Sequence, residues 1–244
     1  MIRRIITILL CLFAHNCWSQ GFTETSTDLG FSFGFDAPLA DLKDRFGVMY
    51  GGDFSLNFYR GELGTQFGLK LGFLTSDKVK EDPLAAYRNS KGQLLNSDGF
   101  PAQVNYRMAA SYVGIDFKKN LGFISKNENA KVFIGIGTGI MQHKISFTEF
   151  SKSVPLAFND YAKGHSRNVR GFYLEEQIGL KFRNNAKKFD ISLVIFEGFL
   201  KPVGLIEFDT LDDLQTQRLD VAAGLKVAWY ISLTSKQVGK DTYY

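Results

Sequence analysis

The chain has no apolar run long enough to cross a bilayer as a helix. Its first apolar stretch, Ile5 to Ala14, covers ten residues, where a spanning helix needs roughly 20. Preceded by Arg3 and Arg4 and followed by the small residue Ser19, it reads as a secretory signal peptide of residues 1–19, with a mature chain beginning near Gln20. Cysteine is nearly absent as well. Cys11 and Cys17 both fall inside that signal, so an exported chain has no disulfide framework, no thiolate metal site and no thiol nucleophile. His15 and Asn16 occupy positions where a lipoprotein signal wants small residues, which argues against lipidation of Cys17. Charge of one sign is also lacking: 29 Lys+Arg stand against 25 Asp+Glu, and losing Arg3 and Arg4 leaves 27 against 25. Such a balance gives no electrostatic argument for nucleic acid. Proline is scarce, at 5 in 244 residues, so little interrupts extended segments.

Aromatics and glycine are abundant: 23 Phe, 10 Tyr and 24 Gly. This composition favours strands, and the patterning agrees. In TQFGLKLGF, Phe67, Leu69, Leu71 and Phe73 alternate with Gln66, Gly68, Lys70 and Gly72. The same period of two recurs in DLGFSFGFD (28–36), VMYGGDFSLNF (48–58), VNYRMAASYVGIDF (104–117), KVFIGIGTGIM (131–141), GFYLEEQIGLKF (171–182), FDISLVIFEG (189–198) and RLDVAAGLKVAWYISL (218–233). These are eight amphipathic strands. In the fourth the apolar parity switches near Ser111, which predicts a β-bulge. Connections alternate in length, with long ones after the first, third, fifth and seventh strands, notably 75–103 and 148–168. That alternation predicts an all-β, eight-stranded antiparallel up-and-down barrel over 20–233, with long loops on one rim, and a tail over 234–244. The last strand is expected to close on the first.

A soluble barrel of the lipocalin kind also has one apolar face per strand, so the opposite face decides. It is made mostly of Gly, Ala and Ser, which suit the crowded inside of a narrow barrel better than a surface facing water. Its charges are Asp53, Lys70, Arg107, Asp116, Glu175, Lys181, Asp190, Arg218, Asp220 and Lys226. Five acids and five bases predict an internal paired network, because a lone buried charge is unfavourable by several kcal/mol. Eight strands leave a bore that side chains fill, so no open pore is expected. Phe, Leu, Ile and Val make up the lipid face, with Tyr50, Tyr106 and Trp229 as interfacial aromatics. Glu176 falls on that face. A bulge in LEEQ, a place near the rim and a contact with another protein are the three explanations.

These features resemble the small eight-stranded outer-membrane barrels of the OmpA/OmpX type. The signal ending in SQ, the Phe- and Asn-rich style and the segment GFDAPLADLKDRFG are similar to outer-membrane β-barrel proteins of the Bacteroidota. The resemblance implies a cell outer-membrane location and contact with outer-membrane lipid and lipopolysaccharide. Loops mounted on a rigid barrel are where recognition is expected. Members often end on an aromatic; here the alternation stops at Leu233 and TSKQVGKDTYY follows.

Some barrels of this size modify lipid A as deacylases or acyltransferases, placing His and Ser near the outer rim. The mature chain offers His143, near Ser146, and His165, beside Ser166; neighbours on an extended chain point apart, so a triad is not indicated. Glu207, Asp209, Asp212 and Asp213 cluster in one loop without EF-hand spacing, and GIGTG at 135–139 lies within a strand, outside the context of a dinucleotide fingerprint. No cofactor or metal is expected. The expectation is a non-enzymatic barrel with a filled lumen that works through its loops, as a binding or structural component of an envelope assembly. A lipid A-modifying enzyme is the alternative, and a solute channel the third reading.

Overall fold

The computed structural model describes residues 24–60, 64–121, 130–149, 153–157, 159–184, 187–203 and 217–237. Eight long strands close a barrel: β1 (Glu24–Leu39), β2 (Met49–Arg60), β3 (Thr65–Ser76), β6 (Asn105–Leu121), β7 (Ala130–Thr148), β8 (Val169–Asn184), β9 (Lys187–Pro202) and β10 (Arg218–Gln237). Each pairs antiparallel with its chain neighbour, and β10 closes on β1. Two short strands, β4 (Leu94–Leu95) and β5 (Pro101–Ala102), form a hairpin within the loop after β3. Helices α1 (Asp41–Arg45) and α2 (Asn159–His165) lie in the loops after β1 and β7.

The strands are tilted, and the register measures the stagger. The ladder from Leu29 runs through Leu56, Leu69, Ile115, Thr138, Leu174, Glu197 and Val221 and returns to β1 at Leu39, ten residues further on. A stagger of ten over eight strands means that a ring at constant height slips by about 1.25 residues per strand against the ladder. One register shift occurs in this seam, between Thr27 and Asp28 against β10. Beyond it β10 continues past Leu233, pairing Thr234 with Thr27 and Gln237 with Glu24. Residues 1–23 and 238–244, which hold the expected signal and most of the tail, lie outside the described residues.

The expected bulge near Ser111 is absent: β6 pairs without a shift against both β3 and β7. What changes is the medium on each side of a straight strand. Along the outer face of β6, Phe117, Ile115 and Val113 give way to Ser111, Ala109, Arg107 and Asn105. Along the inner face Asn120, Lys118 and Asp116 give way to Tyr112, Ala110, Met108 and Tyr106. The apolar side moves from outside to inside because the barrel rises out of the lipid and closes over a core of its own. Two placements are corrected accordingly: Tyr106 turns inward against Phe147, and Arg107 turns outward, exposed, onto Asp77 at 2.7 Å.

That upper core packs Leu42 and Phe46 from the α1 segment onto Met49, Met108, Met141, Ile145 and Leu200. A second cluster, Leu84, Leu94, Val104, Val154 and Ala157, unites the loop after β3 with the loop after β7. The two loops also share the Ser97 N–H bond to the Ser153 carbonyl. Burial of these side chains, at about 25 cal/mol per Å² of apolar area, makes the two loops one folded cap.

Candidate functional site

Below the upper core the lumen is filled by two groups of ions. At mid-height Glu175 receives Lys70 at 2.8 Å and Lys226 at 3.2 Å, and Lys226 also reaches Asp53 at 3.3 Å. The Tyr112 hydroxyl donates to Asp53. Nearer the short-turn rim, Asp190 is held by Arg183 at 2.8 Å, by Lys118 at 3.3 Å and by the Tyr230 hydroxyl, while Lys181 donates to Gln66. Strands β2, β3, β6, β8, β9 and β10 contribute, so the two groups tie most of the circumference. The tyrosines need room to lie across the bore, and glycine provides it: a Cβ on Gly72 would sit 2.3 Å from the Tyr112 ring, and one on Gly114 2.2 Å from the Tyr173 hydroxyl. A void of about 10 Å³ remains beside Asp36, Glu175 and Lys226, room for about one water.

Of the ten charges assigned to the lumen, Asp53, Lys70, Asp116, Glu175, Lys181, Asp190 and Asp220 are buried inside. Lys226 is also inside, Arg218 stands at the mouth on the same inner face as Asp220, and Arg107 alone is outside. Five further buried ions were missed: Asp28, Lys118, Lys131, Arg183 and Lys188. Asp28 and Lys131 stand at the first positions of the strands drawn over 28–36 and 131–141, on the inner parity, while Lys118, Arg183 and Lys188 lie one residue beyond strands drawn too short; β10, at 20 residues, shows how far the strands run.

The two histidines are separated. His143 points inward, with Nε2 2.6 Å from Asp220 Oδ2, beneath the ring of Phe46, whereas Ser146 has the opposite parity and points outward. His165 is buried against Tyr87, and the Ser166 hydroxyl donates to the Lys163 carbonyl. A hydroxyl donating elsewhere is not set for activation by its neighbouring imidazole. Among the described residues no group of His, Cys, Asp and Glu is arranged for a metal; the acidic loop with Glu207, Asp209, Asp212 and Asp213 lies outside them.

The cap is anchored by one carboxylate and two arginines. Glu81 receives Arg45 at 3.0 Å and Arg167 at 2.7 Å, joining the loops after β1, β3 and β7. Asp82 adds a second clasp, accepting hydrogen bonds from Arg88, the Tyr106 hydroxyl and the Leu84 N–H. Burial, the largest influence on the Asp82 carboxyl, pushes its pKa up, but these bonds and the Arg88 charge outweigh it and hold the group below the usual carboxylate range. Phe100 and Tyr161, 68% and 58% exposed, stand on the surface of this cap.

On the outer face the LEEQ segment runs without a bulge. Glu176 points outward between Phe172 and Leu174 on one side and Ile178, Leu180 and Phe182 on the other. It therefore sits near the middle of the apolar belt. Glu197 also faces outward on β9, diagonal to it through the Glu176–Ile195 and Leu174–Glu197 pairs. No described helix is long and apolar enough to cross a membrane; the belt belongs to the strands.

No protein-family model matches the chain, and no curated protein does. Solved structures do. Neisserial surface protein A aligns with 86% of this chain and 99% of its own, at a TM-score of 0.48 and 7% identity. A major outer membrane protein from Thermus thermophilus aligns at 0.45 and 12%, over 85% and 99% of the two chains. Ail, the attachment invasion locus protein of Yersinia pestis, crystallised with the heparin analogue sucrose octasulfate, aligns at 0.40 and 14%, over 85% and 97%. The described strands close the eight-stranded antiparallel barrel that the sequence predicts.

Proposed function

We propose that the protein is exported by a cleaved signal, residues 1–19, to the cell outer membrane and acts there without catalysis, as a plugged barrel that presents a folded loop cap to a partner. The observation that carries this reading is the cap itself. Two loops far apart in sequence share one apolar cluster and are clamped through Glu81 to the barrel mouth. Recognition is commonly mounted on loops positioned by such a rigid scaffold, and Phe100 and Tyr161 supply exposed aromatic anchors of the kind that dominate interfaces. Channel function is disfavoured by the ion-filled bore, and lipid A hydrolysis or acyl transfer by the separation of His143 from Ser146. Within the membrane, Glu176 and Glu197 mark the face on which an envelope assembly would hold the barrel.

Site-specific photo-cross-linking from positions 100, 161 and 176 in native outer membranes tests this. A single discrete adduct at position 100 or 161, lost on Phe100→Ser with Tyr161→Ser, is expected. Steady conductance in planar bilayers, or a change in lipid A mass that follows expression of the chain, would replace the reading with the channel or the enzyme.

A further inference from the structure

The upper edge of the apolar belt is cationic on one half of the barrel only. On β6 to β9 the outward residues there are Arg107, Lys144, Arg170 and Lys201, all exposed. Their heights follow from the ladder. Arg170 pairs directly with Lys201 and with Gln142; Lys144 lies two residues above Gln142 and pairs with Ala109; Arg107 lies two above Ala109. The row thus climbs four residues over three strands, against about 3.75 for a constant-height ring in a barrel with this stagger. The four cations share one level, just above Phe172 and Phe199. At that level on the other half stand Leu39, Val48 and Leu219, each exposed and apolar.

Arg107 is neutralised by Asp77. The other three are not: Lys144, Arg170 and Lys201 make no ion pair among the described residues. Arg170 is nevertheless oriented, because Gln142 Oε1 accepts from its Nε at 3.2 Å and Nη2 at 2.8 Å while the Gln142 amide donates to Asn168 at 3.0 Å. That leaves Nη1 of a held, exposed guanidinium without a partner among the described residues, on the strand between those that carry the two lysines, an arrangement suited to a phosphate oxygen. At the edge of an acyl-chain belt, the anions within reach are lipid headgroups. The belt below, Phe172, Ile140 and Val113, lines part of a shallow, apolar outer groove of about 670 Å³.

We propose that Arg170, Lys144 and Lys201 form a binding site for the phosphate groups of outer-leaflet glycolipid, the lipopolysaccharide of the membrane to which the proposed function assigns the chain. The site fixes which side of the barrel carries bound glycolipid and leaves the apolar half of the rim for other neighbours.

The test uses the full chain, purified and delipidated in detergent, titrated with lipopolysaccharide, with the same glycolipid stripped of its lipid A phosphates, and with inorganic phosphate. Intact glycolipid is expected to bind on the order of tenfold or more tightly than the dephosphorylated form, as three surface cations warrant. The Arg170→Gln, Lys144→Gln, Lys201→Gln variant is expected to bind both equally weakly, and Arg107→Gln to bind like the parent. Heat-modifiable gel mobility verifies that each variant is folded; should the triple variant fail it, Lys201→Gln alone carries the test with a smaller loss. Unchanged affinity of a folded variant, equal binding of the dephosphorylated form, or displacement by millimolar inorganic phosphate would each overturn the proposal. Binding in detergent does not depend on location, so finding the chain outside the outer membrane would refute the functional reading separately.

Discussion

The lower two-thirds of the barrel and its upper third are built from the same strands with opposite polarity. In the lower part Phe117, Ile115 and Val113 of β6 face outward and Asp116 and Lys118 face in; above, Arg107 and Asn105 face outward and Met108 and Tyr106 face in. β7 repeats the exchange, with Ile134, Ile136 and Ile140 outside giving way to Gln142 and Lys144, and Lys131 inside giving way to Met141 and Ile145. The backbone ladder does not notice the boundary, since hydrogen bonds run unbroken across it. The two-residue alternation is a property of the strand, whereas the choice of apolar face is imposed by the solvent on either side. Below, the outer solvent is hydrocarbon and the inside must satisfy its own ions; above, the outer solvent is water and the inside is an ordinary core.

The comparison is broken most severely from the ionic side. Asp190 is the shared acceptor for Arg183, Lys118 and Tyr230, and removing it leaves Arg183, Lys118 and Lys181 facing one another in a closed space. Asp190→Ala is expected to destabilise the barrel by about 3–5 kcal/mol, the usual result of removing one partner from a buried pair, read as an earlier urea midpoint for unfolding from lipid vesicles. In the upper third the equivalent weak point is apolar. Met108→Ala, at a fully buried core position, is expected to cost about 2–3 kcal/mol through lost packing in the same measurement. If Asp190→Ala proved the milder change, the lower lumen would not depend on its charges.

How far this division could be read beforehand depends on the strand. Phe67 to Phe73 alternates without fault, and such runs made eight strands, closure and an outer lipid face legible. Tyr106 was misread as lipid-facing, and the change of parity near Ser111 as a bulge, because the whole strand was assumed to lie in the membrane. Length held the missing signal. The 17 residues of β6 extend about 56 Å at 3.3 Å per residue, and even tilted by about 40° they outrun an apolar band about 25 Å tall. Lys118 and Arg183 were lost for the same reason, at strand ends drawn too short. The Glu81 clamp could not have been read from any local pattern, since Arg45 and Arg167 stand 36 and 86 residues away from it. Glu176, by contrast, was placed on the outer face by parity alone.

The finest distinction lies within the upper third, between barrel and cap. Asp82 holds part of the cap through Arg88 and Tyr106, and its folded pKa lies below the ordinary value, about 3.9 for a free Asp. A lowered carboxyl contributes stability that is fully present above the unfolded pKa and is lost as pH falls through the folded one. With about a third of the side chain exposed, solvent screening reduces this contribution to about 1 kcal/mol or less. Acidification below about pH 4 is therefore expected to loosen residues 77–104 while the barrel stays closed, seen as faster amide exchange in that loop and unchanged exchange in β7 and β8. Asp82→Asn should loosen the loop already at neutral pH and remove the acid step. Simultaneous loosening of strands and cap would mean that the upper core and the cap form a single cooperative unit, and that the division between them is one of position and not of stability.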